Sequence, residues 1–232
     1  MPIPMIYVIV PFHRPHDAAL VVENFQRQTY PLKHLIIVEN GAGIGTWREG
    51  PGVTVLQTSP PGQSLAKNVA IDHVRRIGGT YASVFDSDDY YGPGYLAEQS
   101  KWMGAYSIVG KNQHFINTDR GMFLLNPYSH SGLYDWCNGG SQTFDVHKVP
   151  YFRDQKTGED VMFCHDTTRN GGQLFISTPY GYLYNRTGLG HTYEEDVIER
   201  AHHWGLIVVP MGPVNLDIVN GARRLNIPPR YE

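Results

Sequence analysis

Three carboxylates, Asp86, Asp88 and Asp89, leave the end of an apolar run in the segment Tyr81 to Tyr91, YASVFDSDDYY. Acids packed this closely repel one another and resist desolvation, so a fold tolerates them at a strand end where a cation or a bound polar ligand compensates. Oxygen ligands of this kind suit a hard divalent ion, Mn2+ or Mg2+, with waters and substrate phosphates in its remaining positions. The same residues also read as a solvated acidic turn capping a strand, because Asp is common in turns.

The elements that must position these acids can be read around them. Ile6 to Val10 is a short apolar strand stopped by Pro11, and Ala18 to Gln28 follows with apolar residues at near-helical spacing. Leu35 to Val38 reads as a second strand ending in Glu39, Asn40 and Gly41, and Val53 to Leu56 as a third. Ser64 to Ile77 reads as a helix with Arg75 and Arg76 near its C-terminus and Gly78 and Gly79 stopping it. Alternating strands and helices predict a doubly wound, mostly parallel α/β sheet with helices on both faces, whose ligands bind beyond the carboxyl ends of the strands. Glu39, the turn after Val10 and the acidic cluster all belong at that edge.

The segments VIVPFHRP, LIIVENG, SLAKNVAID and FDSDD, in that order, resemble the motifs of family-2 glycosyltransferases of the GT-A fold. Gly158-Glu159-Asp160 looks like the ED motif of that family, and Tyr184 to Thr192, YNRTGLGHT, like its closing segment with a metal-binding histidine. The likeness spans residues 5 to 192, so the chain divides into a catalytic domain, 1–192, and a C-terminal extension, 193–232, read as a helix over Glu194 to Trp204, a strand over Leu206 to Val209 and a tail. It departs from the usual forms at Phe12-His13-Arg14, at Glu39 in place of Asp, and at Lys67-Asn68 in place of Arg-Asn. These changes bear on donor preference more than on fold.

The resemblance implies a metal-dependent transfer of a sugar from a nucleotide-diphosphate donor, a UDP-sugar by preference, to an acceptor hydroxyl with inversion. Asp88, Asp86 and His191 would serve the metal; Asp86 would also meet the ribose, and Asp89 would either support the metal ligands from behind or meet the sugar. Pro11, Phe12 and Arg14 would line the base and ribose pocket, Glu39 would accept from the nucleobase, and Lys67 and Asn68 would meet base or phosphates; Glu39 also reads as a solvated strand end, and Lys67 and Arg14 as surface cations. Asp160, next to Glu159, would be the general base that takes the acceptor's proton. Helix starts also favour Asp and Glu as simple caps, and His165 and Asp166 compete for these roles. Trp102, Tyr128, Tyr134 and Trp136 read as sugar-stacking candidates or as core. Gly140, Ser141 and Gln142 in NGGSQTF read either as acceptor contacts or as a Gly-rich turn entering a strand.

Composition agrees with one sizeable globular core: 232 residues, 41% hydrophobic and 18% charged. With 19 basic against 22 acidic residues there is no basic footprint for nucleic acid. No apolar run is long enough to span a bilayer and Met1 to Val10 lacks signal-peptide character, so a cytoplasmic location is expected. Cys137 and Cys164 are read as free thiols. Gly41-Ala42-Gly43-Ile44-Gly45-Thr46 follows the second strand and lacks the third glycine of a dinucleotide fingerprint, which sets aside a dehydrogenase. A nucleotidyltransferase and a non-catalytic sugar- or nucleotide-binding module of the same fold remain as alternatives. The acceptor stays open among a glycan, a lipid carrier, a protein and a modified DNA base, as does homo-oligomer formation.

Overall fold

The computed structural model describes residues 3–41, 45–126, 131–155, 157–187, 197–203, 205–223 and 225. The first half runs β1 (Ile6–Phe12), α1 (Ala18–Gln26), β2 (Lys33–Asn40), β3 (Val53–Thr58), α2 (Gln63–Arg76) and β4 (Tyr81–Val84). Next come β5 (Tyr90–Tyr91), α3 (Tyr95–Ser100), β6 (Ile108–Gly110), β7 (His114–Thr118), β8 (Gly121–Leu125), β9 (Gly132–Tyr134) and β10 (Thr143–Asp145). The chain closes with α4 (Glu159–Arg169), β11 (Leu174–Ile176), β12 (Tyr182–Arg186), α5 (Val197–His203), β13 (Val208–Gly212) and α6 (Leu216–Val219).

One sheet has the order β3-β2-β1-β4-β10-β6-β11-β9, with parallel pairing from β3 to β4 and between β6 and β11 and antiparallel pairing at β10 and β9. Both of its faces are covered. Along β1, Ile6, Val8, Val10 and Phe12 pack with Val21 of α1 and Leu96 of α3, while Ile9 turns to the face held by Ala66, Ala70, Ile71 and Val74 of α2 and Phe163 of α4. A strand buried on both sides has no polar face to alternate with, which is why β1 and β2 read as near-continuous apolar runs. On α2 the buried positions recur at helical spacing, and His73, Arg75 and Arg76 in the last turn complement the dipole.

The second sheet has the order β13-β8-β7-β12-β5 and was not anticipated from the middle of the chain. Its last strand comes from the C-terminal extension: β13 pairs antiparallel with β8, two residues later than the strand expected over Leu206 to Val209. The helix expected from Glu194 is described from Val197 to His203.

Candidate active site

Because β1 and β4 are adjacent and parallel, the loops that follow them are neighbours. Ser87 Oγ donates to Asp17 Oδ2 at 3.0 Å, and Arg14 Nη1 donates to Asp88 Oδ2 at 2.7 Å. The three acids of the cluster have separate fates. Asp89 is buried, and its carboxylate accepts from the Tyr182 hydroxyl at 2.6 Å and the Asn185 N–H at 2.8 Å, which ties the loop to β12. Burial, reinforced by Asp88 and Asp86, pushes its carboxyl well above the ordinary range. A carboxylate so engaged anchors the acidic loop, in keeping with the supporting role that was one of the two expected of Asp89. The Asp86 carboxylate has no hydrogen-bond partner among the described residues. Burial raises it to about 6, with Asp88 and Glu159 adding to the rise and Lys67 opposing it.

Two glycines bring the acids together. They lie in a single turn of 3₁₀ helix, Gly139–Ser141, capped by Asn138, whose Oδ1 accepts from Gly140 N at 3.0 Å. A Cβ on Gly139 would lie 2.8 Å from Asp160 Cβ and Oδ2. One on Gly140 would lie 2.7 Å from Tyr182 Oη, 2.8 Å from Asp86 Oδ2 and 3.0 Å from Asp89 Oδ2. The absence of side chains at this turn therefore seats carboxylates from the loop after β4 and from α4 against one backbone segment. Ser141 and Gln142 differ from the acceptor contacts expected of them: Ser141 Oγ bonds the backbone of Lys111 and Asn138, and Gln142 Nε2 reaches the Asp160 carbonyl at 3.3 Å, both side chains lying in the interior.

Asp160 sits in the first turn of α4 after Gly158, whose φ of 73° suits glycine. Burial and Glu159 raise the Asp160 carboxyl, while Lys67 and backbone N–H groups hold it down. Lys67 is 2% exposed, so it is not solvent-facing. Its ammonium meets Glu159 Oε1 at 3.1 Å and lies 4.9 Å from the centre of the Phe152 ring. Burial alone would lower it, but Glu159, Asp86 and Asp160 together raise it. Asn68, expected at the donor, is spent on a two-bond clip to the Phe152 backbone, accepting at 2.8 Å and donating at 2.9 Å.

Glu39 is also engaged. Its oxygens accept from the backbone N–H groups of Gly45, Thr46 and Trp47 at 3.1, 2.8 and 3.1 Å, which fixes that loop and sets Trp47 edge-on to Phe12. Pro11 and Phe12 are buried in β1. Asp166 is paired through both oxygens with Arg153 at 2.7 Å on the surface, which leaves Asp160 as the acid facing the interior. Trp102 packs on Phe175 at 4.2 Å as core. Cys137 and Cys164 are free, buried and 3.7 Å apart. His191 and Tyr128 lie outside the described residues.

These groups open on one cavity of about 500 Å³. Lys67, Asp86, Gly139, Gly140, Glu159 and Asp160 form its polar wall, and Ile116, Leu125, Val197, Ala201 and Leu206 part of an apolar one. His114 and Arg186 line it too, and the sequence had not singled them out. His114 is 2% exposed and lowered to about 3 by burial and by Lys111, with Nδ1 unpartnered among the described residues. Arg186 stacks over Tyr184 at 4.2 Å. The only sequence signal for Arg186 was its place in YNRTGLGHT; His114, one of eleven histidines, had none.

Among the described residues no group of three or more His, Cys, Asp and Glu side chains is arranged to hold a metal. The donor set nevertheless fits a hard cation: Asp86 has a raised carboxyl whose oxygens have no hydrogen-bond partner among the described residues, beside Asp88.

Solved structures share this architecture. The mannosyltransferase PcManGT from Pyrobaculum calidifontis, in complex with GDP-Man and Mn2+, superposes with a TM-score of 0.61 at 17% identity over 88% of this chain and 63% of that one. TarS of S. aureus gives 0.54 at 14% identity over 79% of this chain and 37% of that one. The chain thus spans less than two thirds of either neighbour. No protein-family model matches it, and no curated protein matches it in sequence. The chain has the GT-A type glycosyltransferase fold, a large, mostly parallel sheet flanked by helices. No helix among the described residues is long and apolar enough to cross a membrane.

Proposed function

We propose that this chain transfers a sugar from a nucleotide-diphosphate donor to an acceptor hydroxyl, with inversion, and that Asp160 is the general base. The observation that carries this reading is the Gly139-Gly140 turn, which seats Asp86 and Asp160 on one wall of a single cavity. Asp86 and Asp88 would hold a divalent cation, Mn2+ or Mg2+, which when bound neutralises charge on the departing diphosphate. The neighbour described with GDP-Man and Mn2+ supports that pairing of donor and ion.

The chain's own residues supply the rest. Asp160 takes the acceptor's proton as the hydroxyl oxygen attacks the anomeric carbon. Lys67 holds Glu159 and keeps the surplus of negative charge around Asp160 from protonating the base. Asp89, through Tyr182 and Asn185, fixes the acidic loop so that Asp86 faces the cavity. The apolar wall and the neutral His114 limit water around the reacting atoms.

A thermal-shift screen of nucleotide sugars with and without Mn2+ tests the reading, since a ligand of the native state raises its melting temperature. Stabilisation by a nucleotide sugar that chelation abolishes supports it. Release of pyrophosphate in place of a nucleoside diphosphate would instead assign nucleotidyl transfer.

A further inference from the structure

His114 opens β7, where its backbone is fixed by pairing with Leu125 of β8 and where β12 lies alongside. Its side chain is 2% exposed and lines the cavity, yet Nδ1 has no hydrogen-bond partner among the described residues. A buried polar atom left unpaired is costly, so one carried on a cavity wall points to a group of the bound ligand. Gln142 Oε1 and Trp47 Nε1 are in the same condition, but neither residue lines the cavity.

The surroundings of the ring select the kind of group. Burial and Lys111 keep it neutral, with one N–H and one lone pair. A hydroxyl suits either nitrogen, accepting from the N–H or donating to the lone pair, whereas a phosphate only accepts and a cation takes only the lone pair. Tyr184 stands edge-on to the imidazole at 6.0 Å and lines the same cavity, offering ring surface to the C–H groups of a sugar. The Tyr182 ring, 5.6 Å from that of His114, carries the hydroxyl that holds Asp89 at 2.6 Å, and Arg186 of the same strand acts by its charge on Asp86. His114 is thus adjacent to the strand that reaches the donor-side acids.

We propose that His114 is a specificity-determining residue whose Nδ1 hydrogen-bonds a hydroxyl of the sugar being transferred, so that it discriminates among donors by their sugar and not by their nucleotide. This rests on the transferase reading, in which the sugar lies between the donor-side acid Asp86 and the base Asp160, both on the cavity that His114 lines. A donor without a hydroxyl at that place leaves Nδ1 unpaired in the complex as well, which is how a site built to bond a hydroxyl rejects the analogue lacking it.

The test is calorimetric, in Mg2+, with UDP-glucose, UDP-galactose, UDP-N-acetylglucosamine and GDP-mannose as probes and UDP and GDP as sugar-free controls, for wild type, His114→Phe and His114→Asn. The phenyl ring keeps the shape and loses both nitrogens, while the asparagine amide reaches close to the place of Nδ1. His114→Phe should weaken the best-bound nucleotide sugar about tenfold, the size of one buried hydrogen bond, and leave UDP and GDP unchanged. His114→Asn should recover most of that loss. In wild type the imidazole nitrogen NMR resonance that His114→Asn removes should move on adding that nucleotide sugar and stay in place with the diphosphate, a readout independent of how His114→Phe folds. No loss in His114→Phe, or a loss as large for UDP or GDP, overturns the inference while leaving the transferase reading intact, and so does a wild type that binds UDP or GDP but none of the nucleotide sugars. If wild type binds neither the diphosphates nor the nucleotide sugars, both fall together.

Discussion

Two buried lysines make opposite use of the same chemistry. Lys111, fully buried, donates to Glu98 Oε2 at 2.7 Å, Ser177 Oγ at 3.1 Å and the Thr178 carbonyl, so all three of its N–H donors are used. Glu98 accepts in turn from Thr178 N and Oγ1. Burial lowers the Lys111 ammonium, opposed by Glu98. Among the described residues Lys67 has one hydrogen bond, to Glu159, and faces two further acids, Asp86 and Asp160, which raise it. The first pair is closed and electrically balanced. The second is open and carries an excess of carboxylate, the condition a cation or a diphosphate-bound ion would relieve. A buried ion pair by itself is thus no sign of a site; an unbalanced one on a cavity wall is.

The largest effects should separate these lysines. Lys111→Met and Lys67→Met should each lose about 3 to 5 kcal/mol in urea unfolding, because each leaves a shielded carboxylate without its cation. Mn2+ with UDP or GDP should restore much of the loss in Lys67→Met, raising its melting temperature more than that of wild type. Lys111→Met should show the wild-type shift. Equal ligand rescue of both variants would erase the distinction.

Gly140→Ala should lose about 2 to 3 kcal/mol, as overpacking commonly does, because its Cβ would fall 2.7 to 3.0 Å from Tyr182, Asp86 and Asp89. Gly94→Ala, where a Cβ meets nothing within 4 Å, should be close to neutral in the same urea titration. Gly140→Ala should further weaken cation binding, since Asp86 must move.

A smaller effect belongs to the opposite wall. Burial lowers His114 from 6.5 to about 3 in the folded chain, so its neutral form stabilises the fold above 6.5, and that contribution is lost as pH falls toward 3. Between about pH 7.5 and pH 5 the wild type should lose about 1 to 2 kcal/mol more than His114→Gln. Parallel pH profiles for the two proteins would show that folding leaves the titration of His114 unchanged, against this account.

What the sequence revealed and what it concealed follows the range of the interactions. β1, β2 and β4 were legible because strands covered on both faces must be apolar throughout, and the acids at their ends stood out against that background. Glu159 and Asp160 were legible from their place before an apolar helical stretch. Which acid of the cluster is spent was not legible, since Asp89 is claimed by Tyr182 and Asn185, more than ninety positions away. The Gly139-Gly140 turn was read either as room for a ligand or as a Gly-rich turn entering a strand, and its room is taken by Asp86 and Asp89 of the loop after β4, Asp160 of α4 and Tyr182 of β12. The second sheet escaped because its strands run two to five residues, too short to show a period. Lys67 and Asn68 were placed on the correct helix, yet their direction depends on Glu159 and Phe152 across the fold.

The central claim, that Asp160 takes the acceptor's proton in a cavity whose donor side is held by Asp86 and Asp88, is tested most directly by Asp160→Asn. The amide is nearly isosteric and carries no cation, so the fold and the affinity for a nucleotide sugar with Mn2+ should be kept. Turnover should fall about 100-fold to 10,000-fold, the usual contribution of general-base catalysis, measured as kcat for release of nucleoside diphosphate alongside calorimetric donor binding. The wild-type product should show an inverted anomeric configuration by proton coupling. Wild-type turnover retained in Asp160→Asn, or a product with the donor's own configuration, would contradict the account.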